Sequence, residues 1–233
     1  MTATAQGLPN SPARVIKRGS KLKVTVRVPN PGPAKRYYFL DPRLATPADV
    51  SLPEIDGKAT VPVNGTEPPQ WWVPTHTTAL RATVTADVPV DVSLLPWTGA
   101  PEVLGVSGPG DSAVATATAG QLAAGLWSAP VSGPGPYTDS TAPTGTANVT
   151  VTATTQPVDP GAQVSTGRFW DFGADDLSLP VAAGKTGTMT LTLAPAAPVG
   201  AVVHGIVYVD TDTALSMANG SEIVGIPYTY TVG

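Results

Sequence analysis

The chain has 233 residues, more than the usual 100 to 150 of one domain, so it holds material for two modules, each with its own core. Only 13% of it is charged and the formal net charge is −4. Lys and Arg gather only at Arg14, Lys17, Arg18, Lys21 and Lys23, which reads as a solvated strand edge, so nucleic acid is excluded as an expected partner.

Cysteine is absent, which removes disulfides, thiolate metal sites and a cysteine nucleophile. No apolar run approaches the ~20 residues of a membrane-crossing helix, so no membrane span is expected. The 26 Pro and 24 Gly interrupt the chain so often that short strands and turns are the expected structure throughout.

Residues 1–13 lack the basic and apolar parts of a signal peptide and are expected to form a flexible tail, with Met1 marking the start of a fragment. The first clear strand follows: Leu22, Val24, Val26 and Val28 alternate with Lys21, Lys23, Thr25 and Arg27 until Pro29-Asn30-Pro31-Gly32 turns the chain. Further strands are expected at Tyr37 to Leu40, Lys58 to Val63 and Trp71 to Val73. The breaker-free run 75–88 alternates Leu80, Ala82, Val84 and Ala86 with Arg81, Thr83, Thr85 and Asp87, a period of two that places one face inward. Strands at Val88 to Leu95, Ser112 to Thr118, Leu126 to Pro130, Asn148 to Thr154, Val164 to Trp170, Thr188 to Leu193, Gly200 to Val209 and Glu222 to Val232 complete an all-β reading with two β-sandwiches.

The breaker cluster Gln156-Pro157-Val158-Asp159-Pro160-Gly161 marks the main division, with Gly99 to Ser112 as a competing linker. The expected modules are 14–155, with its core in 67–155, and 156–233. After Pro160 the chain has about five strands where a fibronectin-like sandwich needs about seven. Strands from 14–66 are therefore candidates to complete the second module, which would make the intervening sandwich an insertion; two sequential sandwiches are the simpler alternative.

Candidate chemistry is sparse. His76 and His204 are the only histidines, and neither is flanked like a catalytic base, so no catalytic residue is expected. Asp171, Asp175 and Asp176 lie together in WDFGADD, as do Asp210 and Asp212 in YVDTDT. Such aspartates commonly close turns through their own backbone, and the same oxygens are those a calcium ion takes, so calcium is the one cofactor left open. The glycine clusters 105–110 and 133–135 fit no nucleotide-binding pattern. Asn64, Asn148 and Asn219 open N-x-[ST] sequons. Trp71 and Trp72 are adjacent, so a strand can bury only one of them in a given core, and Trp97 sits in turn-forming sequence. These three indoles are the candidate binding residues, with packing between modules as their competing role.

Two stretches resemble known families. WWVPTHTTALRATVTADVPVDVSLLP, continuing through AVATATAGQLAAGLW to GTANVTVTATT, resembles the bacterial pre-peptidase C-terminal domain, a jelly-roll-like sandwich. LPVAAGKTGTMTLTLAP, VVHGIVYVDTD and EIVGIPYTYTVG look like the fibronectin-type domain that ends many secreted bacterial subtilisin-like serine peptidases, and VTVRVPNPG before YYFLDPRL is similar to the opening of such modules. The peptidase's own Asp-Thr-Gly, His-Gly-Thr-His and Gly-Thr-Ser-Met-Ala signatures are absent, so no catalytic residue carries over. The resemblance implies a secreted or cell-surface bacterial accessory region. It would act in stability, substrate positioning or surface attachment, with the catalytic domain as partner and polysaccharide or protein as further ligand. The alternative is a stand-alone carbohydrate-binding or adhesive sandwich whose exposed indoles make the recognition.

Overall fold

The computed structural model describes residues 2–97, 103–104, 106–107, 111–118, 120–123, 125–133, 144–166, 178–211 and 222–233, and among them there is no helix. The chain divides into two units: Met1–Pro47, Gln156–Ala214 and Ser221–Gly233 form unit 1, and Ala48–Thr155 with Leu215–Gly220 forms unit 2. Strands are numbered along the chain.

Unit 1 is a β-sandwich. Its first sheet runs β1 (Thr4–Gln6), β3 (Leu22–Pro29), β18 (Thr186–Leu193), β16 (Ala162–Val164). The second runs β17 (Leu179–Val181), β4 (Arg36–Leu44), β19 (Val202–Thr211), β20 (Glu222–Val232), β2 (Asn10–Ile16), with β2 parallel to β20 and every other pair antiparallel. The alternation in β3 does what its period demands: Val24, Val26 and Val28 are fully buried while Lys23 and Arg27 are exposed. Val24 stands opposite Leu191 and Val26 opposite Met189, and this row meets Leu40, Val207, Val209, Tyr228 and Tyr230 of the second sheet in one core. At Gly205 any Cβ would overlap the Tyr228 ring, so the aromatic crosses β19 where only glycine leaves room.

Unit 2 is also a sandwich. One sheet runs β10 (Val103–Leu104), β9 (Asp91–Pro96), β13 (Gly125–Ser128), β7 (Gln70–Val73), with β14 (Val131–Ser132) also on β9. The other runs β11 (Val106–Ser107), β12 (Ser112–Thr118), β8 (Thr77–Ala86), β15 (Thr146–Thr155), β5 (Ala48–Leu52), with β6 (Thr60–Pro62) also on β15. Trp71 and Trp127 are each 1% exposed and share a core with Leu80, Val84 and Val149. Ala113, Ala115 and Ala117, the small inward residues of β12, belong to the same core and leave volume for the indoles. Trp127 donates its Nε1–H to the Ala123 carbonyl at 2.8 Å, so the one polar atom of that ring is satisfied.

Two expectations are corrected. The expected flexible tail over 1–13 instead holds strands, because β1 pairs with β3 and β2, which begins at Asn10, lies along β20. β2 is an edge strand with a mostly exposed pattern, so main-chain pairing orders it without any apolar alternation to announce it. Nor is 14–155 one region: residues up to Pro47 belong with the chain after Gln156, since β3 and β4 pair with β18 and β19.

Candidate functional site

On β9 the inward residues Val92, Leu94 and Pro96 are buried, whereas Leu95 is 42% and the following Trp97 74% exposed on the opposite face. Register extends this outer face across the sheet. Leu95 lies opposite Ser128, and Ser128 opposite Gln70. One row along, Trp97 donates its N–H to the Leu126 carbonyl at 2.9 Å, and Leu126 pairs with Trp72. The outer face thus carries one row of Leu95, Ser128 and Gln70 and another of Trp97, Leu126 and Trp72.

Segment 54–68 raises a wall beside this face. Glu54 anchors it: one carboxylate oxygen accepts the Lys58 N–H at 2.6 Å and the other the Gln70 N–H at 3.2 Å, while Ile55 N–H bonds the Gln70 carbonyl at 3.0 Å. Asn64, in the left-handed region with φ 62°, donates its N–H to the Val131 carbonyl and accepts the Gly133 N–H on its side chain. Between wall and sheet lies a cleft of about 540 Å³ lined by Asp56, Thr66, Glu67, Pro68, Gln70, Leu95, Pro96, Trp97 and Ser128. A smaller hollow of about 230 Å³ continues from it, sharing Asp56, Thr66, Glu67 and Pro68 and adding Lys58 and Val61 among others. Its volume falls in the range of ligand clefts, and both polar and apolar side chains line it.

Unit 1 holds a second cluster, which is closed. β4 is buried on both faces, so Asp41 and Arg43 lie at 0% and 2% exposure on the face opposite the core. Arg43 Nε meets Asp41 Oδ2 at 2.6 Å, and its Nη1 donates to the Gln156 carbonyl at 3.0 Å. Gln156 accepts the Tyr208 hydroxyl at 2.7 Å and donates to the Ala45 carbonyl at 3.0 Å. Asp210, across from Glu222 and 1% exposed, has no hydrogen-bond partner among the described residues on either carboxylate oxygen. Burial first, and then the charges of Asp41 and Glu222, push its pKa well above the ordinary carboxylate value, against the opposing pull of Arg43. On the core side, Tyr228 donates its hydroxyl to Asp159, and burial with that carboxylate raises its pKa; Tyr230 is pushed up to about 12 by the same two causes. Burial of Asp41, Arg43, Asp210 and Tyr228 makes these groups a structural network.

Of the indoles expected to bind, Trp71 is corrected: it lies in the core because its strand turns that residue inward and Trp72 outward. Trp72 is half-buried in the outer row, and Trp97 alone borders the cleft. Asp171, Asp175, Asp176 and Asp212 lie outside the described residues, and Asp210 joins the closed network. Among the described residues no three His, Cys, Asp or Glu side chains are grouped to hold a metal ion. His76 takes a left-handed turn conformation with φ 61°, and His204 is exposed with Nδ1 3.2 Å from Thr229 Oγ1. Asp56, Glu67 and Leu95 had no sequence signal: they sit on a turn, a loop and a strand's outer face, joined only by folding.

No family model matches the chain, and a search of curated proteins finds no match. Among solved structures it is similar to one titled "AvmM Catalyzes Macrocyclization in Alchivemycin A Biosynthesis", at 10% identity over 100% of this chain and 88% of that one, with a TM-score of 0.29, and nothing in the functional reading rests on that likeness.

Proposed function

We propose that this chain is a non-catalytic accessory region of a secreted subtilisin-like serine peptidase, in which unit 2 holds a polymeric ligand in the cleft beside Trp97. The observation that carries the binding role is the 74% exposure of that indole at the mouth of a cleft with polar walls. Water contact over so much ring surface is costly, and covering it with ligand recovers that cost. The attachment to a peptidase is supported by the sequence motifs. The Gly184-Lys185 turn leads into β18, Gly205 to Asp210 lie on β19 and Ile226-Pro227-Tyr228 on β20, all in unit 1.

Reading the coding region upstream tests the attachment: the three peptidase signatures should be encoded there. Activity tests the role. Deleting this region from the peptidase should lower kcat/KM on polymeric substrate while leaving a small chromogenic peptide unaffected; an equal fall on both, or none, would defeat it. A stand-alone carbohydrate-binding or adhesive module is the second reading, favoured by the outer row that joins Trp97 to Trp72.

A further inference from the structure

We infer that the cleft binds a basic side chain carried by an extended polypeptide, with the cation held between Asp56 and Glu67 and against the Trp97 indole. This rests on the reading of unit 2 as a ligand-binding unit and names the chemical class of its ligand.

Charge makes the first part of the argument. Asp56 and Glu67 both line the cleft, and among the described residues no Lys or Arg lines it and neither carboxylate has an ion-pair or hydrogen-bond partner. Glu54, by contrast, has both oxygens committed to backbone N–H groups, so it belongs to the wall's architecture. Lys58 lines the adjoining hollow, yet no salt bridge joins it to Asp56. The cleft therefore offers two carboxylates and an exposed indole with no cation in its own lining, and a cation answers to both.

Shape makes the second part. Pro68, Leu95 and Pro96 give apolar surface along which the methylene stem of a Lys or Arg lies while its head reaches the carboxylates. The smaller hollow adjoins the cleft at four shared residues, Asp56 and Glu67 among them, so a ligand held by these carboxylates has space on either side of them, which suits a residue within a chain better than a free amine. An acidic segment would meet two like charges, and a wholly apolar one would strand the carboxylates.

The whole 233-residue chain can be titrated with a short blocked peptide alternating Ala and Arg, following indole emission and heat. Parallel titrations use the same peptide with Gln for Arg, and neutral cello- and chito-hexaose. The Arg peptide should bind saturably, and its Gln counterpart about tenfold more weakly or worse. Asp56→Asn with Glu67→Gln should cost the Arg peptide about tenfold, and Trp97→Ala about threefold to fivefold, as expected of exposed ion pairs and an exposed cation–π contact. All three residues are exposed, so unchanged melting should accompany each loss. Equal binding of the Arg and Gln peptides, or no saturable binding of the Arg peptide, overturns the inference. Binding of a hexasaccharide that Trp97→Ala abolishes, without binding of the Arg peptide, assigns the cleft to glycan instead. If these titrations fail while deletion of the region still lowers turnover of polymer, the ligand class is wrong and the accessory role stands.

Discussion

Asp210→Asn should stabilise unit 1 at neutral pH, although it removes a charged residue from a network that contains an arginine. Asp210 is 1% exposed and among the described residues both its oxygens lack a hydrogen-bond partner, so ionising it leaves a buried charge with no donor from them aimed at it. Its folded-state pKa is raised from 3.8 by burial and by Asp41 and Glu222. The sign follows: the folded state holds the proton more tightly than the unfolded state. Stability from this group is complete below the unfolded pKa and is lost as pH climbs to the folded one, by up to about 1.4 kcal/mol per pH unit for one proton. Asparagine matches the shape of the protonated acid and carries no such limb. It should raise stability at pH 7 by about 1 to 3 kcal/mol, the usual cost of an unsatisfied buried polar group, with little change near pH 4. Urea unfolding at a series of pH values, followed through the amide signals of Val207 and Val209, measures both quantities. A variant no more stable than the parent at pH 7, or a pH slope identical in the two proteins, would refute the assignment.

Gly205→Ala should destabilise unit 1 by about 3 kcal/mol or more, since the new methyl displaces the Tyr228 ring and breaks its bond to Asp159; chemical denaturation of the variant measures it. Val26→Asp should cost about 3 to 5 kcal/mol and Arg27→Ala no more than about 0.5, and equal costs in urea titrations would mean the strand register is wrong. Trp71→Ala should cost about 3 to 5 kcal/mol while Trp97→Ala changes melting little, because one indole fills the core and the other faces water. Residues 156–233 expressed alone should show collapsed amide dispersion, since β18 and β19 lose their partners β3 and β4; a cooperatively folded fragment would sink the shared-sandwich architecture.

Period-two reading succeeded where one face meets a core and the other meets water, as in β3 and β8. On β4 it found only Tyr37 to Leu40, because Tyr38 through Arg43 are all buried and a strand covered on both faces shows no alternation that would extend it to Leu44. The same limit hid β2, an edge strand ordered by its backbone. At the candidate site, exposure of Trp97 was legible because a turn flanked by Pro96 gives an indole nowhere to hide. Asp56 and Glu67 were not, since their role depends on a wall that Glu54 pins to Gln70 and on nothing adjacent in sequence.

Pairing of Ala48 with Thr155 at the junctions of unit 2 bears on the order in which the chain acquires structure. Without it, joining β3 to β18 would mean closing the whole chain from Pro29 to Thr186, unit 2 included, an entropic cost of about 4 to 5 kcal/mol on the flexible-chain estimate. Once β5 lies against β15, the two strand ends that lead back into unit 1 are neighbours, and that closure has already been made by contacts local to unit 2. A kinetic hierarchy follows in which unit 2 matures first and serves as the short circuit for unit 1. Substitutions that loosen the β5–β15 pair should therefore slow the appearance of the Val24–Leu191 contact even though they touch no residue of that sandwich.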